Sequence, residues 1–442
     1  MLSSAAALLE ERSEAFAVAE SEDTGKPLRL ARAMDIPRAV ANLRFFAGQV
    51  DHSTGDSVRH GGGAGRGRGL DDALNYTLRK PVGVVGLVTP WNLPLYLLTW
   101  KLAPALAMGN AIVAKPSELT PTTASMLCDL FRDAGLPDGV FNVVHGAGGE
   151  AGAALCAHHD VGAISFTGGT STGATVAASV ASRFAKLSLE LGGKNPLLVF
   201  ADCDFDTTVS GAVRAAFLNS GQICLCASRI LVQDTGDGFY ERFASAFAER
   251  AAALVVGHPA EAATDVGPLV SAVQRDKVEL FTSTALEGPG VTALCGGPHD
   301  ERAREAAAAH GQGHWFSPTV LEGCSVDSHI AREEIFGPVV TLHRFETDEE
   351  AVRYAVSPTP FRAMGRSRPL PCGPRQHVRC PRALQRLVWC AISVSESRSP
   401  LPAEPHAVRA LGFSVDGKLE PRPRGRRRAG VRHRVGQLLA AP

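Results

Sequence analysis

The feature that most constrains the fold is an alternation of short apolar strands and amphipathic helices from about residue 74 to residue 355. Apolar runs such as Val82–Thr89 and Ala111–Ala114 are followed by helical patterns such as Leu97–Met108 and Thr122–Ala134. Strands separated by helices form parallel sheets covered by helices on both faces. The chain is therefore predicted to be α/β, and such sheets bind ligands at the carboxyl ends of their strands.

The alternation divides into two units. The first includes strands at Ala163–Phe166 and Lys186–Glu190, and the second begins near residue 196 with the strand Pro196–Phe200. Two helices, at residues 1–20 and 27–49, precede the alternation. We expect one α/β unit over residues 1–190 and another over 191–355.

The segment from residue 356 onward has a different composition. Residues 357–442 contain 16 Arg and 1 Lys against 4 acidic residues, whereas the whole chain has a formal net charge of zero. Twelve of the 28 prolines lie in this segment, which has no sustained apolar period. We interpret it as disordered or non-native sequence. A basic tail for RNA or DNA, centred on Arg424–Arg428, is disfavoured because aromatic residues are not interleaved; an inert linker is the third alternative.

Cysteine usage and hydropathy indicate a cytoplasmic protein with no metal site. Ten cysteines occur in 442 residues without a CxxC pair, which favours reduced thiols. The start, Met1–Ser4, has no basic residue, so we expect no signal peptide. Prolines interrupt the apolar stretch Val82–Trp100, so it is predicted to be a strand, a loop and a helix start rather than a membrane span.

Three segments carry the residue types needed for attack on a carbonyl carbon. Cys224 follows a Gly-Gln turn that leaves room for a substrate, although most cysteines are simply small buried residues. Glu190 ends a predicted strand just before two glycines and is a candidate general base; the alternative is a solvated or helix-capping glutamate. Asn92 lies between Pro90 and Pro94, so its amide is a candidate oxyanion donor, or else an ordinary turn residue.

Three further segments suit a dinucleotide. Lys115–Glu118 ends a strand with an amine for phosphate or ribose oxygens and a carboxylate for ribose hydroxyls. Phe166–Gly173 and His145–Gly152 are glycine-rich turns between a strand and a helix, where a helix N-terminus would face a pyrophosphate. Each glycine loop is weak evidence alone, because such turns are common.

Taken in order, these motifs resemble the NAD(P)-dependent aldehyde dehydrogenase superfamily over about residues 1–355. The matching sequences are PWNLP, KPSE, FTGG, LELGGK, GQIC and EEIFGP. Within the superfamily, Asp35–Arg38, Leu95–Lys101 and Ile223–Cys226 look most like the 2-aminomuconic semialdehyde dehydrogenase subgroup. The resemblance implies a Rossmann-type cofactor domain over 1–190, a catalytic domain over 191–355, and a strand pair near 74–89 in an oligomerisation element of a homo-oligomer.

The resemblance also implies roles for individual residues. Cys224 would attack the aldehyde, Asn92 would hold the oxyanion, and Glu190 would activate water to release the acid. A free carboxylate at Glu118 favours NAD over NADP. The cofactor would be held by Trp91, Lys115, Ser117, Glu118, Gly148, Gly152, Thr167, Gly168, Gly169, Glu334 and Phe336. Arg44, on the predicted helix bordering the substrate tunnel, is a candidate for a substrate carboxylate, with a surface arginine as the equal alternative.

The chain departs from the family pattern at both ends. Relatives begin some tens of residues earlier and continue past Tyr354, whereas here only Leu387–Cys390 resembles the later family segments. We expect residues 357–442 to reflect a shifted reading frame or a faulty gene model. The alternative function is then an inactive member that only binds NAD or another subunit. A phosphate- or CoA-dependent acylating enzyme is less favoured, because Glu190 suits hydrolysis.

Overall fold

A computed structural model describes residues 1–61, 72–311 and 313–356. The helices are α1 (Leu2–Glu11), α2 (Ser13–Thr24), α3 (Leu28–Leu30), α4 (Ile36–Gln49), α5 (Pro94–Ala107), α6 (Thr122–Asp133), α7 (Ala153–Ala157), α8 (Thr170–Ala181), α9 (Phe205–Phe217), α10 (Phe239–Ala252), α11 (Ala272–Leu286), α12 (Glu301–His310), α13 (His329–Arg332) and α14 (Asp348–Ala355). Turns of π-helix lie at Ala31–Asp35 and Gly148–Gly152, and 3₁₀ turns at Val50–His52 and Leu218–Gly221. The predicted tail of residues 357–442 and most of the glycine-rich loop after β1 lie outside the described residues.

The strands form two five-stranded sheets and a separate two-stranded ribbon. They are β1 (Ser57–Gly61), β2 (Asp72–Tyr76), β3 (Val84–Val88), β4 (Ala111–Lys115), β5 (Phe141–Val143), β6 (Val161–Gly168), β7 (Lys186–Leu191), β8 (Asn195–Val199), β9 (Ala227–Gln233), β10 (Thr292–Cys295), β11 (Thr319–Glu322) and β12 (Val339–Phe345). The predicted α/β class is confirmed.

The first sheet is parallel throughout, in the order β5-β4-β3-β6-β7. Its central strand β3 is apolar and buried at Val85 and Leu87, as expected for a strand covered by helices on both faces. The register places Val88 beside both Lys115 and Phe166, so the carboxyl ends of three strands lie together. Among the described residues, no helix is long and apolar enough to cross a membrane.

The second sheet has the order β10-β11-β12-β9-β8, and only β10 runs antiparallel to its neighbour. Phenylalanines of α9 and α10 pack against it, including the stacked rings of Phe243 and Phe247. The strands β7 and β8 are edge strands of different sheets, and residues 192–194 alone join them. The chain therefore passes from one sheet to the other at the predicted unit boundary.

Two predicted elements were wrong. The expected strand pair near residues 74–89 does not exist: β2 pairs with β1, whereas β3 pairs with β4 and β6. The apolar β3 is buried in the sheet interior, whereas Leu74 and Tyr76 of β2 are exposed on a ribbon. The helix expected over residues 1–20 is broken at Arg12, and its second half continues to Thr24, where Gly25 ends it in the left-handed conformation.

Candidate active site

Cys224 lies on a loop that leaves α9 through a strained turn. Asn219, Ser220 and Gly221 have consecutive positive φ angles of 53°, 55° and 70°. Two of these residues are not glycine, so the conformation is unfavourable on its own and must be held by tertiary contacts. The Ser220 hydroxyl donates to the Gly267 carbonyl at 2.9 Å, and a β-carbon on Gly221 would collide with the Gly337 carbonyl. The loop that precedes the thiol is thus rigidly placed.

Asn92 is bound to this loop from the first sheet. Its amide nitrogen donates to the Gln222 carbonyl at 2.9 Å, and its own carbonyl accepts from the Asn219 amide at 3.2 Å. Asn92 is buried, and it follows β3 by four residues. An amide nitrogen carries two hydrogens, so one donor remains after the bond to Gln222. The structure therefore brings the candidate oxyanion donor to the cysteine loop.

The environment of Cys224 favours the protonated form of its thiol. Its pKa is raised chiefly by burial, and further by the negative charges of Glu334 and Glu190. Glu190 is exposed on β7, the edge strand of the first sheet, and its partner in the register is Thr167. The neighbouring Cys226 is a buried thiol whose pKa rises to about 12, again because of burial. Of these two thiols, Cys224 is the one whose pKa is raised by two carboxylates, those of Glu334 and Glu190.

Glu334 and Phe336 approach the same place from the loop before β12. The Glu334 carboxylate accepts the Gly193 backbone N–H at 3.2 Å. Burial raises the pKa of Glu334, while the Gly193 N–H, then Lys277 and Lys194, act in the opposite direction. The Phe336 ring meets the Trp91 ring edge to face with centroids 5.2 Å apart.

Lys115, the last residue of β4, forms an ion pair with Glu118, so the expected free carboxylate at Glu118 was wrong: it is paired with a cation. The Lys115 Nζ lies 2.7 Å from the Glu118 carboxylate; the lysine is buried, whereas the glutamate is half exposed. Their hydrogen bond is the main cause that lowers the pKa of Glu118. Gly152 lies against the Lys115 side chain, because its β-carbon would stand 3.9 Å from Lys115 Cδ, and Gly148 contributes a backbone N–H to Glu118. The Ser117 hydroxyl instead accepts the Leu119 N–H within its own turn.

The second glycine turn carries an unsatisfied hydroxyl. Thr167 Oγ1 is buried without a hydrogen-bond partner in the described part of the chain. Gly168 ends β6, and Gly169 caps the N-terminus of α8 with open space around it. An unpaired hydroxyl next to an open helix N-terminus suits a phosphate ligand, so these residues fit the group that the motif predicts.

Arg44 of α4 lies beside α1. Its guanidinium pairs with Glu10 of α1 and is half exposed. It lines a cavity of about 570 Å³ whose other lining residues are Glu10, Ser13, Glu14, Arg32, Ile36, Pro37, Val40 and Ala41. The pair with Glu10 and the place in the cavity wall leave both alternatives for Arg44 open, so its role with a substrate carboxylate stays a prediction.

Two buried lysines escaped the sequence analysis. Lys101 of α5 donates to the Ser165 hydroxyl at 2.9 Å, and burial lowers its pKa to about 8 against the opposing charge of Glu190. Lys194 is buried, and burial together with Arg229 lowers its pKa to about 7. Lys101 is the last residue of the motif Leu95–Lys101, and Lys194 is the last residue of LELGGK. Their place in these motifs was the sequence feature that could have identified them.

Comparisons with known proteins agree with this geometry. The 2-aminomuconic 6-semialdehyde dehydrogenase of a Pseudomonas species is 46% identical over 355 residues, which are 78% of this chain and 68% of that protein. The human 2-aminomuconic semialdehyde dehydrogenase is 44% identical, covering 80% of this chain and 70% of its own length.

Solved structures show the same fold. Betaine aldehyde dehydrogenase from Staphylococcus aureus, crystallised with NAD⁺, is similar with a TM-score of 0.73 and 36% identity, covering 80% of this chain and 68% of that one. An aldehyde dehydrogenase from Bacillus cereus in complex with NAD⁺ gives the same TM-score, identity and coverage. The family model described as "Aldehyde dehydrogenase family" matches residues 1–357. The resemblance drawn from the motifs is confirmed: this chain belongs to the aldehyde dehydrogenase family.

Proposed function

We propose that this chain oxidises an aldehyde to a carboxylic acid with NAD, using Cys224 as the nucleophile. The observation that carries this is the bond from Asn92 to the Gln222 carbonyl, which joins the cysteine loop to the first sheet. This bond supports a shared role for the Cys224 thiol and the second Asn92 N–H, and the raised pKa of the thiol, to which Glu190 and Glu334 contribute, supports a base nearby.

The first step forms a bond between Cys224 Sγ and the aldehyde carbon. Because the thiolate is the nucleophilic form of cysteine, the thiol proton must leave, and we assign Glu190 as the acceptor. The aldehyde oxygen becomes an oxyanion, which the second Asn92 N–H and the Cys224 backbone N–H would stabilise. The product is a thiohemiacetal on Cys224.

The residues present fit NAD. Lys115 and Glu118 would hold the adenosine ribose, with Ser117, Gly148 and Gly152 around them; Thr167, Gly168 and Gly169 would meet the pyrophosphate; Glu334, Phe336 and Trp91 would border the nicotinamide and its ribose. NAD, when bound, supplies the acceptor for the hydride that leaves the thiohemiacetal carbon. The carboxylate of Glu118 would repel a 2′-phosphate, which favours NAD over NADP.

The final step hydrolyses the Cys224 thioester. Glu190, once it has released the thiol proton to solvent, would take a proton from water as the water oxygen attacks the acyl carbon, and the C–S bond breaks to release the acid and the Cys224 thiolate. Glu190 is exposed on an edge strand, so water reaches it directly. A base dedicated to water favours hydrolysis over transfer of the acyl group to phosphate or CoA.

We propose 2-aminomuconate semialdehyde as the substrate. The relatives at 42–46% identity include 2-aminomuconic and 2-hydroxymuconic semialdehyde dehydrogenases. These substrates share an unsaturated chain that ends in an acid, so betaine aldehyde, which carries a cation, is the discriminating alternative. A higher kcat/KM for the acidic semialdehyde than for betaine aldehyde would support the assignment, and the reverse order would overturn it.

The decisive experiment follows formation of reduced NAD by the purified full chain with an aldehyde. Cys224→Ala should abolish the reaction, whereas Cys226→Ala, which removes a buried thiol two residues away, should retain most of it. Equal rates for wild type and Cys224→Ala would contradict the nucleophile assignment.

We further propose a cytoplasmic homo-oligomer. The free thiols of the seven described cysteines support a reducing compartment. Leu74, Tyr76 and Val58 are exposed apolar residues on the β1–β2 ribbon, which supports association through that face. Light scattering after size exclusion tests this; a monomer at working concentration would contradict it.

A further inference from the structure

Three charged side chains are buried together beneath α5. Lys26 Nζ lies 2.9 Å from an Asp35 carboxylate oxygen and 3.7 Å from a Glu20 carboxylate oxygen. All three side chains have zero solvent exposure. Two carboxylates share one ammonium, so the ion pairs alone leave a carboxylate undercompensated in a medium where that is costly. Hydrogen bonds to other groups must stabilise it.

Glu20 directs those bonds toward α5 and α6. One of its carboxylate oxygens accepts the Leu95 backbone N–H at 3.3 Å, and the other accepts the Thr123 hydroxyl at 2.9 Å. Asp35, in contrast, has one oxygen without a hydrogen-bond partner within the described ranges. The two carboxylates pair with the same lysine, but only Glu20 reaches the helix that follows Asn92.

The Leu95 N–H is a buried donor at the first turn of α5. The helix begins at Pro94, which has no N–H, and its N-cap residue Leu93 provides no side-chain hydrogen bond. Leu95 therefore offers the first free donor of the helix, and a carboxylate at this point also meets the positive end of the helix dipole. Glu20 caps α5 from a distance of 75 residues along the chain.

We propose that Glu20 is a positioning residue for the oxidation: it fixes the start of α5 and thereby the Asn92 amide against the Cys224 loop. The path is short, because Asn92 lies three residues before Leu95 and itself donates to Gln222. This inference rests on the proposed function, since it assumes that Asn92 holds the oxyanion.

Two conservative variants separate positioning from charge balance. Glu20→Gln keeps the length and an oxygen for the Leu95 N–H, and its NH₂ group can donate to the Thr123 hydroxyl. Glu20→Asp keeps the charge beside Lys26 but withdraws the oxygens by one methylene. We expect the first-turnover rate of NAD reduction to fall roughly tenfold in Glu20→Asp, a fraction of the loss from removing an oxyanion donor, and to stay near wild type in Glu20→Gln. The reverse order would overturn the proposal.

Combining the Glu20 and Asn92 substitutions distinguishes a positioning role from a purely structural one. The quantity measured is the first-turnover rate of the double variant. In an Asn92→Ala background, Glu20→Asp should cost nothing further in the first-turnover rate, because its effect acts through the missing amide. Additive losses would overturn the proposal. The affinity for NAD, measured by fluorescence quenching, should match the parent in each variant, whereas the melting temperature should fall in Glu20→Asp, which leaves the buried Leu95 N–H without its partner.

The same set of proteins separates failure of this inference from failure of the proposed function. If Asn92→Ala itself leaves the rate unchanged, the oxyanion assignment is wrong and the basis of the inference is removed. If Asn92→Ala is slow but Glu20→Asp is as fast as wild type, only the positioning role is wrong. Asp35→Asn is the matched control, because Asp35 contacts Lys26 but not α5.

Discussion

The Glu334 carboxylate occupies the space where a side chain on Gly192 would have to stand. The adjacent Gly193 N–H holds the same carboxylate, so Glu334 is placed by the turn between the two sheets. The absence of a β-carbon at Gly192 is thus required for this placement of the Glu334 carboxylate.

Gly192→Ala should displace Glu334 and weaken binding of NAD. Because a methyl group would overlap the carboxylate, we expect the Kd for NAD to rise about tenfold and the free energy of unfolding to fall by about 1–3 kcal/mol. Titration calorimetry and urea unfolding measure both. Gly48→Ala, on α4 with open space around it, is the control and should be neutral or slightly stabilising. Unchanged affinity in Gly192→Ala would contradict this account.

Alkylation of Cys224 should require unusually high pH. Its pKa is raised by burial and by Glu334, so the thiolate fraction at neutral pH is lower than that of an ordinary thiol with a pKa of about 8.5. The iodoacetamide rate, taken as the difference between wild type and Cys224→Ala, should still be rising above that pH. Glu334→Gln removes one negative charge and should shift the profile to lower pH. A plateau below pH of about 8 in wild type would be inconsistent with this environment.

Lys194 should make stability rise with pH. Its pKa in the folded state is about 7, below the unfolded value of about 10.4, so the unfolded chain binds more protons between these limits. The contribution of Lys194 to the free energy of unfolding therefore increases with pH, with a slope of at most about 1.4 kcal/mol per pH unit. Urea unfolding of wild type and Lys194→Met from pH 6 to 9 should show the two free energies diverging in favour of wild type. Parallel curves would mean that Lys194 stays charged.

Glu118→Gln should narrow the preference for NAD over NADP. The carboxylate is half exposed, so its repulsion of a 2′-phosphate is screened to about 1 kcal/mol, or roughly fivefold in the ratio of kcat/KM values. Steady-state kinetics with both cofactors measure the ratio. Glu334→Gln, which changes a carboxylate away from the adenosine end, should leave the ratio unchanged. A preference unaffected by Glu118→Gln would place the 2′-hydroxyl elsewhere.

The sequence predicted those elements whose structure follows from their own hydrophobic pattern. The strands β3 and β4 are short apolar runs that are each followed within two residues by a proline, Pro90 or Pro116, and their positions were predicted closely. The strands that pair with them were not predicted, because strand order in a parallel sheet depends on the crossover connections. The strand β3 pairs with β6, some 77 residues away, rather than with β2. The resemblance named Asn92 and Cys224, but their 130-residue link through Gln222 required the fold.

Buried charge was the least predictable feature. Glu20 was assigned to the end of an amphipathic helix and Lys194 to a motif terminus, because charged residues are rarely buried. Their burial depends on partners brought by distant elements, such as Leu95 and Thr123 for Glu20. The hydrophobic periodicity of a single helix or strand gives no information about such distant partners.

The three-residue passage between the sheets sets a limit on how far the site can open. From Leu191 to Asn195 the backbone can extend at most about 14 Å, so the two sheets are tethered at the mouth of the cleft. Glu190 precedes the tether, and Gly193 within it holds Glu334. Both carboxylates are therefore attached to this segment: Glu190 through the chain, and Glu334 through its hydrogen bond with the Gly193 N–H. Moving the two sheets apart at this point would therefore stretch the segment whose Gly193 N–H holds the Glu334 carboxylate.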